Sequence, residues 1–181
     1  MKRTLLSVIA LVALAFTTQA QKNPMVGGAA MYANKDIVDN AVNSKDHTTL
    51  VAAVKAAGLV ETLKSAGPFT VFAPTNEAFG KLPEGTVETV LKPENKALLT
   101  KILTYHVVAG KMTSKEIAAA IKAGKGKAEL TTVSGGKLWV WMEGDKLVLK
   151  DEKGGMATVT IANVHQKNGV IHVIDSVLMP N

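Results

Sequence analysis

The residues that could do chemistry are few. His47, His106, His165 and His172 are the candidate general bases and metal ligands, because a neutral imidazole binds zinc and exchanges protons near neutral pH. No two have the His-x-x-x-His spacing that sets a pair of rings on one helix face. His165 and His172 could meet only across a turn, so no metal site is expected. His172, Asp175 and Ser176 carry the residue types of a hydrolytic triad. Neighbours on one strand point to alternate faces, however, and cannot converge in that order. There is no nucleophile elbow, no phosphate-cradling glycine loop and no dinucleotide fingerprint. The absence of cysteine removes thiol nucleophiles, thiolate metal sites, disulfides and a lipid-modified cysteine. These residues predict a protein that is not an enzyme and carries no cofactor.

The elements that must position these residues begin after a leader. Met1-Lys2-Arg3 is basic and Leu5 to Phe16 is apolar except for Ser7. Thr18-Gln19-Ala20 supplies small residues for cleavage, so residues 1–20 read as a secretory signal peptide cut near Ala20-Gln21. The apolar run is too short to span a bilayer and no later segment is longer, so no integral membrane segment is expected after cleavage. Residues 21–33, with Pro24, Gly27 and Gly28, show no sustained period and read as a mobile or loosely docked lead-in. Residues 34–181 read as one domain.

Within that domain Ile37, Val38, Ala41 and Val42, then Leu50, Val51, Val54 and Ala57, recur at helical spacing, with Gly58 as a stop. A third short helical piece runs from Leu59 to Ser65. Phe69-Thr70-Val71-Phe72-Ala73, bounded by two prolines, predicts a short buried strand. Helical signals resume after Thr75 and continue to Tyr105, with Leu98, Leu99, Ile102 and Leu103 as an apolar stripe. Thr113 and Glu116 match a capping box for a helix from Ile117 to Ala123. After Gly126 the period becomes alternating: Leu138, Val140 and Met142, then Leu147 and Leu149, then Val159 and Ile161. A helical half followed by a β half predicts an α+β domain with helices segregated to one side of a sheet.

The formal charge of +6 is modest, and the single arginine, Arg3, lies in the leader. Nucleic-acid binders concentrate basic residues with aromatics, so no nucleic-acid partner is expected. The lysine cluster Lys122 to Lys127 reads as a solvated turn rather than a polyanion site.

Three stretches are more specific. Phe69 to Phe79 reads FTVFAPTNEAF, Tyr105-His106 follows an apolar helix, and Asn168 to Pro180 reads NGVIHVIDSVLMP. In this order they resemble the first signature block, the tyrosine-histidine motif and the second signature block of the fasciclin (beta-Ig-H3/fasciclin) domain family, in its small secreted bacterial form. The resemblance covers Asn34 to Pro180. It implies a wedge built from a β-sandwich of about seven strands with a layer of helices on one side. It also implies a secreted or periplasmic binding module for cell adhesion or matrix interaction, with an extracellular or envelope protein or polysaccharide as partner. The alternative it implies is a carrier of a small hydrophobic ligand, a carotenoid or lipid.

The family motif and candidate partner-contact residues are Thr75, Asn76, Tyr105, His106, Asn168, Gly169, His172 and Asp175. Thr75 and Asn76 can satisfy open backbone groups at a helix start, and buried His106, His172 and Asp175 must find hydrogen-bond partners. In animal members the tyrosine-histidine motif is associated with integrin binding, as is an acidic motif just before the second block. Leu103, Tyr105, His106 and Val107 match the former. Val164-His165-Gln166-Lys167 holds no acid, and no Arg-Gly-Asp occurs, so the integrin association does not transfer. Trp139 and Trp141 share a strand face. Tryptophans are mostly buried, which places them beneath the helices; on a free face with Met142 they would offer a hydrophobic surface to a ligand.

Overall fold

A computed structural model describes residues 23–181, so the expected signal peptide lies outside the described residues. Residues 23–33, the described part of the expected lead-in, dock on the domain through Val26 and Met31. Strands β1 (Met25–Val26) and β2 (Ala29–Ala30) form a two-stranded hairpin, and Val26 and Met31 are buried in the core. Its apolar side chains lie too far apart to give a period, which is why the sequence left it undefined.

Helix α1 (Ile37–Ala41) starts at Asp36, whose carboxylate accepts from the Asp39 amide at 2.8 Å. Helix α2 (Thr48–Ala57) buries Leu50, Ala53, Val54 and Ala57 and stops at Gly58, whose φ of 73° only glycine adopts readily. Helix α3 (Val60–Lys64) leads into strand β3 (Phe69–Pro74). Helices α4 (Asn76–Gly80), α5 (Thr86–Val90) and α6 (Lys96–Tyr105) follow. Leu99, Ile102 and Leu103 form the buried stripe of α6, whereas Leu98, expected within it, is 45% exposed. After strand β4 (Val107–Ala109), helix α7 (Ser114–Ala123) opens on the capping box of Thr113 and Glu116. Strands β5 (Ala128–Thr131), β6 (Lys137–Glu143), β7 (Lys146–Lys150), β8 (Met156–Gln166) and β9 (Gly169–Ile174) complete the chain.

The seven strands hydrogen-bond as one mixed sheet in the order β4-β3-β9-β8-β7-β6-β5. The sheet curls until its edges meet, where Val108 bridges Thr132 and the Val133 amide donates to the Val107 carbonyl at 2.7 Å. The result is an α+β domain, a nearly closed sheet with helices against it. Next to its β4 edge β3 and β9, the two signature blocks, run parallel with Phe69 opposite Gly169 and Pro74 opposite Ile174. Both strands are apolar on each face because each face is covered. Val71, Ala73, Ile171 and Val173 join the cluster beneath α1, α2, α3 and α6. Phe72 and Ile174 join a second cluster inside the curled sheet, with Ile117 and Ile121 of α7 and Leu138, Val140, Leu147 and Leu149 of β6 and β7.

Candidate functional site

The motif residues occupy the seam between helices and sheet, and most of their polar atoms are used inside the protein. Thr75 caps α4, its hydroxyl accepting from the Ala78 amide at 3.2 Å. Asn76 serves a different helix start: its Oδ1 accepts from the Thr49 amide at 3.0 Å and its Nδ2 donates to the Lys45 carbonyl at 2.8 Å, so it closes the N-terminus of α2. Asn168 is buried. Its Oδ1 accepts from the Ile37 amide at 3.1 Å and its Nδ2 donates to the carbonyls of Leu63 at 2.7 Å and Ser65 at 3.0 Å. Gly169 follows because a Cβ there would sit 2.1 Å from the Phe69 carbonyl oxygen.

Tyr105 has no exposed surface. Its hydroxyl donates to the Lys137 carbonyl at 2.5 Å and accepts from the Glu152 amide at 3.1 Å, tying the end of α6 to β6. Burial pushes its pKa up to about 12. His106, edge-on to the Tyr105 ring, is satisfied at both nitrogens. Its Nε2 accepts from the Leu178 amide at 3.0 Å, so Nδ1 carries the proton and donates to the Ile102 carbonyl at 2.8 Å. Burial lowers its pKa to about 4, holding it neutral. His172 stacks on Phe72 at 5.7 Å between centroids and contacts the Met112 carbonyl through Nε2 at 2.8 Å. Its pKa is likewise lowered, chiefly by burial.

Asp175 is half-buried. Its Oδ1 accepts from the Thr158 amide at 2.8 Å and from the Ser176 hydroxyl at 3.2 Å, and Lys81 lies 3.8 Å from Oδ2. The Ser176 hydroxyl is thus held by Asp175, while the Nε2 of His172 is engaged by Met112. Among the described residues no group of three or more His, Cys, Asp or Glu could hold a metal ion. The eight motif residues are therefore spread along the core seam and form no single surface cluster.

Two features stand outside that seam. The first is a cavity of about 80 Å³ between α1, α2, α3 and β3. Its lining is almost wholly aliphatic, with Ile37, Leu50, Val54, Leu63, Val71 and Ile171 among its walls. His47, one of its few polar residues, is 3% exposed. The His47 Nδ1 meets the Ser44 hydroxyl at 2.9 Å, but Nε2 is buried with no hydrogen-bond partner. Burial lowers the pKa of this ring despite the nearby Ala73 carbonyl, which favours the protonated form. From sequence His47 was one histidine among four. Its burial depends on α2 packing, which periodicity does not reveal.

The second feature corrects an expectation. Trp139 and Trp141 are half-buried and lie on the opposite face of β6 from Leu138 and Val140, whose face packs against α7. They stand on the outside of the sheet and not beneath the helices, because the alternation of β6 gives the helix side to the aliphatic set. Met142, on the aliphatic parity, reaches past the core at the hairpin end and is 43% exposed.

Residues 45–180 match the fasciclin domain family. The chain is 48% identical over 169 residues to protein sll1483 of Synechocystis sp., covering 93% of this chain and 87% of that one. It is 39% identical over 145 residues to the immunogenic protein MPB70 of Mycobacterium bovis, covering 77% and 66%. It is 35% identical over 167 residues to the cell surface glycolipoprotein MPB83 of the same species, covering 89% and 68%. Its fold matches a FAS1 domain pair from the insect cell adhesion molecule Fasciclin I with a TM-score of 0.71 at 18% identity, covering 80% of this chain and 51% of that one. The parallel pairing of the two signature strands, the seam locked by Tyr105, His106 and Asn168, and these matches agree: the chain belongs to the fasciclin domain family.

Proposed function

We propose that this protein is a secreted or periplasmic binding module without enzymatic activity, acting at the cell surface or envelope in adhesion or matrix interaction. The observation that carries this reading is the internal use of the polar motif groups. His106 and Asn168 satisfy backbone groups of distant segments, and Asp175 holds the Thr158 amide. The outer surface is then the place for activity. A surface glycolipoprotein among its relatives and a cell adhesion molecule with the same fold support the location and role. Among the described residues no helix is long and apolar enough to cross a membrane. The test is retention of the purified protein by envelope fractions and spent medium of its host. Saturable retention supports the reading, and turnover of any substrate, or no retention at all, overturns it.

The cavity favours a second reading, carriage of a small hydrophobic ligand. Its apolar walls suit the end of a small apolar body. Organic extraction of protein purified from its native host, followed by mass spectrometry, tests this. A stoichiometric lipid or pigment supports the carrier, and an empty extract counts against it.

A further inference from the structure

On the outer face of the sheet the β5–β6 hairpin brings Lys127, the last lysine of the cluster after α7, against the tryptophan pair of β6. Lys127 immediately precedes β5, and its Nζ lies 5.4 Å from the centre of the Trp139 ring. Strand register sets the neighbours. One row across the sheet reads Glu129, Trp139, Lys150, Met156, and the next reads Trp141, Val148, Thr158. Val148 is only 4% exposed although it stands on this outer face directly opposite Trp141, whereas Met156 at the margin is 60% exposed. Val148 is thus covered, and the apolar surface this face leaves to solvent is that of the half-buried indoles, roughly 7 Å apart along the strand, with Met156 at the margin.

Lysines outnumber acids on this face: Lys127, Lys137, Lys146 and Lys150 stand against Glu129 and, at the hairpin end, Glu143. The Glu129 carboxylate is taken by Lys137 at 2.9 Å. Among the described residues Lys127 and Lys150, which flank Trp139, have no ion-pair partner within 4.0 Å. Ring faces beside unpaired ammonium groups suit a ligand with flat C–H faces and regularly spaced anions. We propose that this face binds an acidic polysaccharide, the pyranose rings resting on Trp139 and Trp141 and the uronate carboxylates meeting Lys127 and Lys150. This names a partner for the surface-module reading above and rests on it. A nucleic acid fits less well, because the bidentate phosphate recognition of arginine is missing and Arg3 is the chain's one arginine. A bilayer fits less well too, because these indoles stand on a sheet and not on a protruding amphipathic helix.

The two tryptophans of the chain are both on this face, so intrinsic emission reports on it alone. Polygalacturonate should quench or shift that emission saturably, less so as salt rises, while neutral dextran should leave it unchanged. The double variant Lys127→Gln/Lys150→Gln should melt as the parent does and bind polygalacturonate at least tenfold more weakly. Trp139→Ala, checked for folding by circular dichroism, should lose binding in calorimetry. The proposal is overturned by unchanged emission at low salt, by equal binding of the double variant or Trp139→Ala, or by a preference for oligothymidylate or phosphatidylglycerol vesicles. Envelope retention that survives in the double variant would sink this face and leave the surface-module reading standing. Loss of all retention by the parent would sink that reading itself.

Discussion

His106 has both ring nitrogens committed and is only 3% exposed, so its protonation state is fixed by its surroundings. Replacing it with Ala removes the partners of the Leu178 amide and the Ile102 carbonyl and opens a void, and should destabilise the protein by roughly 2–4 kcal/mol. A fall in melting temperature checks this; a variant that melts unchanged and loses a partner would assign the residue to contact instead. The same burial sets a pH dependence. The folded pKa is about 4 against 6.5 for a free histidine, so between those values the unfolded chain takes up a proton that the native state refuses. Stability should be level above pH ~6.5 as far as this group is concerned, fall by about 3 kcal/mol on the way down to pH ~4, and stop falling below it. His47 and His172, lowered in the same direction, steepen the fall. In His106→Phe the slope of stability against pH over this window should be shallower by up to one proton, whatever its starting stability.

Elements are held together by a few side chains that reach across the sequence. Asn76 closes the start of α2 from the first turn of α4, so Asn76→Ala should cost about 1 kcal/mol, the usual value of an N-cap. Hydrogen exchange should show the loosened amides in the first turn of α2, and a loss confined to α4 would contradict this. Gly169 lies where β9 comes nearest β3. Gly169→Ala must push the strands apart or bend them and should cost roughly 2–3 kcal/mol or more, a much larger effect than the same change at solvent-open Gly80, which has no positive φ. Denaturation midpoints of the two variants test the contrast.

At the scale of the whole molecule the two hydrophobic clusters share β3 and β9, alternate residues of which face opposite sides. Neither cluster can be dismantled while the other keeps its wall. Unfolding should therefore be a single transition, with tryptophan emission, which reports the β5–β8 half, coinciding with the far-ultraviolet circular dichroism of the helices. Two resolved midpoints would show that the halves are separable.

Much of this was legible in the amino acids. The helical period of Leu50 to Ala57, the alternation of Leu138 to Leu149, the cap at Thr113 and the two apolar signature runs determined the elements and, with the signature blocks, the family. These signals lie within a few residues of one another, where local geometry decides. What only the tertiary structure decided was contact between distant segments. The sequence left unstated that Asn76 caps α2 and not its own helix, that Val26 and Met31 enter the core, and that His47 is buried beside an apolar cavity. The β5–β6 pairing sets Lys127 over Trp139, but that this tryptophan face points outward was settled only by the fold. Side-chain period tells which residues share a face; which face finds a covering layer and which is left to solvent depends on the packing of elements far apart in the chain.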